Sequence, residues 1–353
     1  MTATTHDDVQ ADGRLEQPVR WAILAGAGVA AVALLAVVGG LSPLTVILVG
    51  ALFYCIAIYV ASRSVEGSRH AMDRLVTGVV TTTFLLAMVP LVSVLWTIIS
   101  KGLDRFDVEF FTYSMRGVTT GETGGAYHAI MGTVITTGIA TLISVPIGLF
   151  AAIYLVEYGN KGPLARGLTF FVDVMTGIPS IVAGLFAIGF FTMMLGDESY
   201  QAGIVGAVAL SVLMIPTVVR SSEEMLRLVP NELREASYAL GVSKWLTIVK
   251  VVLPTAVAGL ATGVTLAIAR VMGETAPLLI TMGAAKAVNF NPFEGSMSAL
   301  PLFEYSSYAN PGTNKDDSIA AAWTAALVLM VIVMVLNIVA RLISKFFAPK
   351  TGR

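Results

Sequence analysis

The stretch NELREASYALGVSKWLTIVKVVLPTA, residues 231–256, joins a charged segment directly to an apolar run. Asn231 is a good N-cap residue for a helix, and Gly241 favours the end of a helix at its own position. A helix of ten residues between them is about 15 Å long, which is too short to cross a bilayer. The stretch therefore predicts a short surface helix followed by a membrane-spanning helix.

The composition of the whole chain agrees with a membrane environment. Only 13% of the 353 residues are charged, and the mean hydropathy is +0.81. Several apolar runs reach the roughly 20 residues that a spanning helix needs, and lipid requires backbone groups to be paired internally. We predict an all-α polytopic membrane protein with eight spans, at about 21–39, 43–61, 75–100, 128–155, 168–195, 201–219, 251–282 and 319–344.

Basic residues indicate the orientation of these spans. With a cytoplasmic N-terminus, sixteen Lys and Arg residues fall in inner segments, and five fall in outer loops: Lys101, Arg105, Arg116, Lys286 and Lys315. Because Lys and Arg are enriched in cytoplasmic loops, this distribution predicts a multi-pass plasma-membrane protein with both termini in the cytoplasm.

The loops predict two parts of the chain. A charged linker, SRSVEGSRHAMDR (62–74), separates the first two spans from the rest. We expect a tail and extra transmembrane hairpin over 1–70 and a six-span core over 71–348, with a cytoplasmic loop at about 220–254. Two long outer loops, about 101–127 and 283–318, are rich in Phe and Tyr. Their aromatic residues are interpreted either as a docking surface for an extracytoplasmic protein or as interfacial anchors.

Several kinds of chemistry find no support in the sequence. The chain lacks a phosphate-binding G-x-x-x-x-G-K-[ST] loop and a G-x-S-x-G nucleophile motif. Its histidines, His6, His70 and His128, are scattered, and Cys55 is its single cysteine. The net charge of −1 gives no indication of nucleic-acid binding. We therefore expect that this chain is not an enzyme and binds no metal or cofactor, and that any ATP which drives it is hydrolysed by another chain.

The seventh predicted span contains the most informative charges. Within GLATGVTLAIARVMGETAPLL (259–279), Arg270 and Glu274 are one helical turn apart and are predicted to share a face with Gly259 and Gly263. Each charge costs at least about 2.5 kcal/mol in an apolar span. In one interpretation the two form a buried salt bridge that holds neighbouring helices together. In the other, Arg270 binds an anion in a pathway, and Glu274 pairs with the guanidinium when the pathway is empty.

Weaker pathway candidates lie in two other spans. Thr133 and Thr137 belong to a polar stripe in the fourth span, and Asp173 and Ser180 lie in the fifth. Such small or hydroxyl residues also serve as helix-packing contacts, so both interpretations stay open. Gly177 and Pro179 together are able to interrupt the fifth span, and interrupted helices often line substrate pathways.

The order of residues around the surface helix resembles a known motif. Glu235-Ala236-Ser237, three residues, Gly241, nine residues, Val251, one residue and Leu253-Pro254 resemble the EAA loop of ABC-importer permeases. Together with the segments 124–158, 176–186 and 269–279, this loop makes the chain similar to PstA-type permeases of the bacterial phosphate ABC importer. The two additional N-terminal spans depart from that family's usual six.

The resemblance implies a fold, a function and partners. It implies a six-helix type I ABC-importer permease core that moves phosphate by alternating access, beside the extra hairpin. The partners that it implies are a homologous second permease, two ATPase subunits that use ATP, and an extracytoplasmic phosphate-binding protein. It also assigns two groups of residues: Arg270, Gly273, Glu274 and Thr275 to phosphate translocation, and Glu235, Ala236, Ser237, Gly241, Leu253 and Pro254 to ATPase coupling. A permease for sulfate, molybdate or phosphonate and an ion-coupled secondary transporter remain alternatives.

Overall fold

The computed structural model describes residues 15, 17–39, 42–118, 124–159, 162–197, 200–312 and 314–347, and it contains helices and loops without a strand in those ranges. The predicted tail over 1–14 and the turn residues 40 and 41 lie outside the described residues. The chain divides into two compact units, Met1–Trp96 and Thr97–Arg353. The predicted division at residue 70 stays a prediction.

Fourteen helices are present in the described part of the chain. They are α1 (Gln17–Val38), α2 (Pro43–Val65), α3 (Ser68–Gly102), α4 (Val108–Thr112), α5 (Tyr127–Ile153), α6 (Pro163–Thr176), α7 (Ser180–Leu195), α8 (Gly203–Arg227), α9 (Asn231–Ala239), α10 (Lys244–Thr247), α11 (Leu253–Met272), α12 (Ala276–Thr281), α13 (Leu300–Ala309) and α14 (Lys315–Phe347). Two π-helical turns, Tyr154–Tyr158 after α5 and Ile248–Val252 before α11, extend their neighbouring helices.

These helices confirm the predicted fold class. Within the described ranges, seven helices are long and apolar enough to cross a membrane, and α6 with α7 forms a bent pair that passes the same test. They correspond in order to the eight predicted spans. About 61% of the most apolar part of α8 is buried, against 6% to 28% in the other straight spans. In the second unit, α8 is therefore the central helix, while its neighbours keep apolar faces for lipid or other subunits.

Two predicted spans are not continuous helices. The predicted span 168–195 is divided into α6 and α7, which are bent by 110° around Gly177–Pro179. The break follows from Pro179, which has no N–H to donate and disfavours helical backbone in the residue before it. The span predicted over 251–282 was wrong as a single helix, because α11 ends at Met272 and Gly273 caps it before α12 begins.

The first unit is fixed by a group of polar contacts around Glu66, between α2 and α3. The Glu66 carboxylate accepts hydrogen bonds from Ser62, from the Leu15 backbone and from both Nε and Nη2 of Arg74. Its side chain is only 3% exposed. The bonds from Arg74, acting against burial and with help from Ser62 and Leu15, lower the pKa of Glu66 to about 2.

Close helix packing in the second unit depends on small residues. A Cβ added at Gly148 on α5 would lie 2.7 Å from Cγ1 of Val218 on α8, and one at Gly132 would lie 1.8 Å from the carbonyl oxygen of Ser298. These distances leave no room for a side chain, as is typical of membrane helices in direct backbone contact. Around these contacts lies a buried core that includes Leu210, Met214, Val218, Ala267, Val271, Leu278 and Met282.

The loop after α3 is held by Arg105. Its guanidinium pairs with Asp317 at the start of α14 and with Asp107, and it donates to the carbonyl of Gly124 at 3.0 Å. Burial acts to lower the pKa of Arg105, but the two carboxylates outweigh burial and raise it. Arg105 therefore stays charged and connects this loop to the N-terminal ends of α5 and α14.

Candidate functional site

A polar cavity of about 190 Å³ lies where the two interrupted spans approach α8. It is lined by Met175 and Thr176 of α6, Ile178 of the break, Ser180 of α7, Leu213, Pro216 and Thr217 of α8, Arg270 of α11, and Glu274. The cavity thus combines one guanidinium, one carboxylate and three hydroxyl groups within apolar helices. Such a set of groups suits a small, strongly hydrated anion.

The helix breaks create this cavity. Gly177 ends α6, with its N–H bonded to the carbonyl of Val174 at 3.1 Å, and Pro179 redirects the chain into α7. On the opposite wall, Pro216 lies inside α8 and cannot donate to the preceding turn. Non-helical backbone at membrane depth is tolerated where it lines such a cavity.

Arg270 and Glu274 both line the cavity but do not occupy one helix face. Arg270 is near the end of α11, whereas Glu274 follows the Gly273 cap and lies outside the helix. No ion pair joins the two side chains, and within the described residues the Arg270 guanidinium makes no hydrogen bond. We expected Glu274 to pair with the Arg270 guanidinium when the pathway is empty. The structure does not show this pair, because the chain turns at Gly273. The guanidinium is left available to a ligand in the cavity.

The remaining pathway candidates separate into three positions. Ser180 lines the cavity, and Gly273 and Thr275 belong to the turn between α11 and α12 that positions Glu274. Thr133 instead accepts a 2.7 Å bond from the backbone N–H of Leu300, and Thr137 is buried elsewhere along α5. For these two threonines the contacts are those of helix packing.

Asp173 lies beside the cavity rather than in it. Its carboxylate pairs with Arg220 of α8, whose other nitrogen bonds Glu223 at 2.9 Å. Asp173 is three residues before Thr176, and Arg220 is three residues after Thr217, so the pair is one turn from the cavity on both helices. Sequence reasoning missed Thr217 and Arg220. The sequence pattern that could have indicated them is Pro216-Thr217 within an apolar run, with the charged Arg220 one helical turn later.

The surface helix is present as α9, with nine residues. Its N-cap is Pro230 rather than the predicted Asn231, which is the first helical residue and accepts a bond from Arg234. Gly241 has φ +76°, Val242 N–H bonds Ser237 O at 3.2 Å, and Gly241 N–H bonds Tyr238 O at 2.9 Å. This Schellman arrangement requires a left-handed residue, which explains the glycine.

The predicted coupling residues divide into exposed and buried positions. Glu235 and Ala236 are exposed on α9, and Leu240 at its end is 84% exposed. Ser237 faces inward and bonds the hydroxyl of Thr247 on α10 at 2.9 Å. Leu253 packs against a cluster of buried hydrophobic residues, and Pro254 occupies the first turn of α11. α9 therefore presents a mixed polar and apolar face outward while its other face is fixed.

The aromatic residues of the two long loops predicted to be outer also form two groups. Phe110 and Phe303 are buried and pack edge to face, with ring centroids 6.4 Å apart. Four others stay 50% to 60% exposed: Phe290, Phe293, Tyr305 and Tyr308. The second group is accessible to another molecule.

Broken spans around a cavity, a central buried helix and an exposed capped helix define the chain as a multi-pass membrane permease. The chain belongs to the family of binding-protein-dependent transport system inner membrane components, whose family model matches residues 144–353. It is 46% identical over 274 residues to phosphate transport system permease protein PstA 1 of Mycobacterium tuberculosis strain H37Rv, covering 77% of this chain and 87% of that protein. It is 38% identical over 258 residues to the PstA permease of Pasteurella multocida, covering 73% and 88%.

Solved structures agree at the level of the fold. The permease chain of a bacterial alginate ABC transporter, solved with a periplasmic protein bound to an alginate pentasaccharide, matches with a TM-score of 0.56 at 15% identity, covering 80% of this chain and 97% of that one. A chain of the MetNI methionine ABC transporter matches with a TM-score of 0.50 at 22% identity, covering 64% and 95%. The fold is thus that of ABC-importer permeases.

Proposed function

We propose that this chain is the permease subunit of an ATP-driven importer that carries inorganic phosphate across the bacterial plasma membrane. The observation that carries the proposal is the unpaired Arg270 guanidinium in a hydroxyl-lined cavity. Its planar fork donates two charge-assisted bonds to an oxyanion, and Thr176, Ser180 and Thr217 supply further donors. The two PstA relatives, named as phosphate transport permeases, favour phosphate over other tetrahedral oxyanions.

The proposed transport cycle is alternating access. An extracytoplasmic binding protein delivers phosphate at the outer face, where exposed Phe290, Phe293, Tyr305 and Tyr308 offer an aromatic docking surface. Phosphate then enters a pathway between this subunit and a homologous second permease, so that Arg270 faces the shared interior. Both termini and the loop at about 220–254 are on the cytoplasmic side.

ATP is used by partner subunits in this proposal. Two ATPase subunits bind the exposed face of α9, with Glu235 as a contact, and their closure moves the membrane helices. The ligand and the nucleotide are coupled only if each favours one of the two conformations. This chain contributes the pathway and the coupling helix and binds no cofactor itself.

Reconstituted vesicles provide the test of this function. The chain is co-expressed with its second permease, ATPase and binding protein, and uptake of labelled phosphate is measured with ATP, without ATP and with an uncoupler. We expect uptake that requires ATP, survives the uncoupler and is not displaced by excess sulfate or molybdate. Uptake lost to the uncoupler would identify an ion-coupled secondary transporter, and displacement by sulfate or molybdate would identify a permease for another oxyanion.

A further inference from the structure

One residue of the coupling helix α9 and one residue just after it contact the same inner end of α5. Before the Gly241 turn, Arg234 bonds Glu157, and after the turn the Nζ of Lys244 lies 4.7 Å from the ring centre of Tyr158. Glu157 and Tyr158 are consecutive residues at the end of the π-helical turn that extends α5. The loop that carries α9 is therefore held at its entry and at its exit by one point of the membrane domain.

The Arg234 guanidinium is the centre of this attachment. Its Nε and Nη2 lie 3.1 and 2.8 Å from Oε1 of Glu157, while Nη1 donates to the Val229 carbonyl at 2.6 Å and Nη2 to the Leu226 carbonyl at 3.0 Å. The side chains of Arg234 and Glu157 are 11% and 5% exposed. One side chain thus joins α9, the carbonyl end of α8 and the end of α5.

The attachment lies against a hydrophobic cluster that these helices share. Ala152 and Ile153 of α5 pack there with Leu226 and Val229 at the end of α8 and with Ile248 and Val252 before α11. Parting Arg234 from Glu157 leaves the Glu157 carboxylate without its charged partner in a position that is 5% exposed, and leaves Arg234 with carbonyl acceptors only, which is unfavourable. α9 consequently moves together with the inner ends of α5 and α8.

This inner end is continuous with the cavity wall. Along α5, Ser144 donates a bond to the backbone of Ser211, and Gly148 lets the helix approach Val218 without an intervening side chain. Leu213 and Thr217, on the same stretch of α8, line the cavity. A displacement of the end of α5 is therefore transmitted to the wall opposite Arg270.

We propose that Arg234 and Glu157 are positioning residues that convert a displacement of α9 into movement of α5 and α8 during transport. The inference rests on the proposed function, because it takes an ATPase on α9 as the source of the displacement. Without the link, α9 follows the ATPase while the cavity wall lags behind. ATP hydrolysis then continues, and less phosphate is moved for each ATP.

The first experiment measures phosphate uptake and ATP hydrolysis on the same reconstituted complex. Arg234→Gln and Glu157→Gln are expected to lower the ratio of phosphate moved to ATP hydrolysed about tenfold, with complex recovery unchanged. Arg227→Gln is the matched control, since among the described residues Arg227 pairs only with Glu223 of its own helix and its side chain is 65% exposed. The control is expected to keep the wild-type ratio. Wild-type ratios in assembled Arg234 and Glu157 variants would overturn the proposal.

A reversible cross-link separates a mechanical link from a loss of stability. In a Cys55→Ala background, Glu157→Cys and Arg234→Cys are joined after assembly of the complex by a short bis-methanethiosulfonate reagent, which forms one reducible disulfide with each thiol and releases methanesulfinate. We expect the cross-linked complex to recover the ratio of phosphate to ATP and to lose it about tenfold on reduction. A ratio unaffected by reduction would overturn the proposal even where the glutamine variants fail to assemble. Failure of ATP-dependent uptake in the wild type would instead refute the proposed function.

Discussion

At the residue scale, Arg270 is the group on which we propose that anion transport depends. Arg270→Ala removes the cavity's guanidinium without disturbing a hydrogen bond or ion pair of the described residues. We expect phosphate uptake to fall to background while the complex assembles normally. Uptake into reconstituted vesicles and recovery of the complex by affinity purification are the two measurements.

Arg270→Lys is the matched variant, because it keeps the charge and loses the planar fork. We expect this variant to retain partial uptake and to need a higher phosphate concentration for half-maximal uptake. Normal uptake by Arg270→Ala would contradict an anion-binding role for this residue.

A second residue-scale prediction concerns the contact between α5 and α8. Gly148→Ala places a Cβ 2.7 Å from Val218, whereas Gly138→Ala on the same helix meets nothing within 4 Å. Both changes gain the same helix propensity, but overpacking costs about 1–3 kcal/mol at position 148 alone. Thermal unfolding in detergent is expected to be several degrees lower for Gly148→Ala than for Gly138→Ala, and equal values would show that α8 moves aside.

Residue chemistry was predictable from the sequence, but residue geometry was not. Charges in an apolar span marked Arg270 and Glu274, since their desolvation cost has few structural explanations. Their relation depended on where α11 ends, and an apolar run on both sides of Gly273 concealed that end. Thr133 and Thr137 matched the pattern of a pathway equally well, and only their neighbours distinguish packing from transport.

At the scale of elements, the surface helix α9 makes its own prediction. Glu235→Lys reverses a charge on its exposed face, so the ATPase is expected to be lost from the purified complex. Glu224→Lys makes the same charge change at an exposed position on α8, outside α9, and is expected to leave the complex intact. Unchanged ATPase recovery with Glu235→Lys would count against the docking role of α9.

The connection between α2 and α3 predicts a dependence on pH. Because Arg74 in particular lowers the pKa of Glu66 from 4.5 to about 2, the carboxylate favours the folded state above pH 4.5. This contribution is lost as the pH falls from 4.5 toward 2. The difference in unfolding temperature between the wild type and Glu66→Gln is therefore expected to be constant near neutrality and to shrink below pH 4.5. The control change is Asp73→Asn, which removes an exposed carboxylate of α3 that makes none of the contacts of Glu66.

Element boundaries were predictable where a residue forces them. Pro179 and Gly177 forced the break between α6 and α7, and Gly241 forced the end of α9 through its left-handed backbone. The π-helical turns at Tyr154–Tyr158 and Ile248–Val252 were not predicted from the sequence. The first of them carries Glu157 and Tyr158, which contact Arg234 of α9 and Lys244 of α10.

For the whole molecule, the fold class was predictable from the composition. In the lipid core the backbone N–H and C=O groups must be hydrogen-bonded within the protein, which few folds achieve. The arrangement of helices did not, because most spans are apolar all round and periodicity cannot tell a lipid face from a protein face. α8 was not distinguishable by hydropathy, although it is the most buried span. Its Gly203, Gly206 and neighbouring alanines reflect close approach on several sides.

The lengths of α3 and α14 have a consequence for the surrounding lipid. At 1.5 Å per residue these helices of 35 and 33 residues are about 50 Å long, whereas the hydrocarbon layer is about 30 Å thick. Each therefore continues into the headgroups and the water beyond, so that its backbone at the edges of the hydrocarbon layer lies within the hydrogen-bonded helix. Such rods adapt to thinner or thicker membranes by changing tilt, without unravelling a turn at either surface.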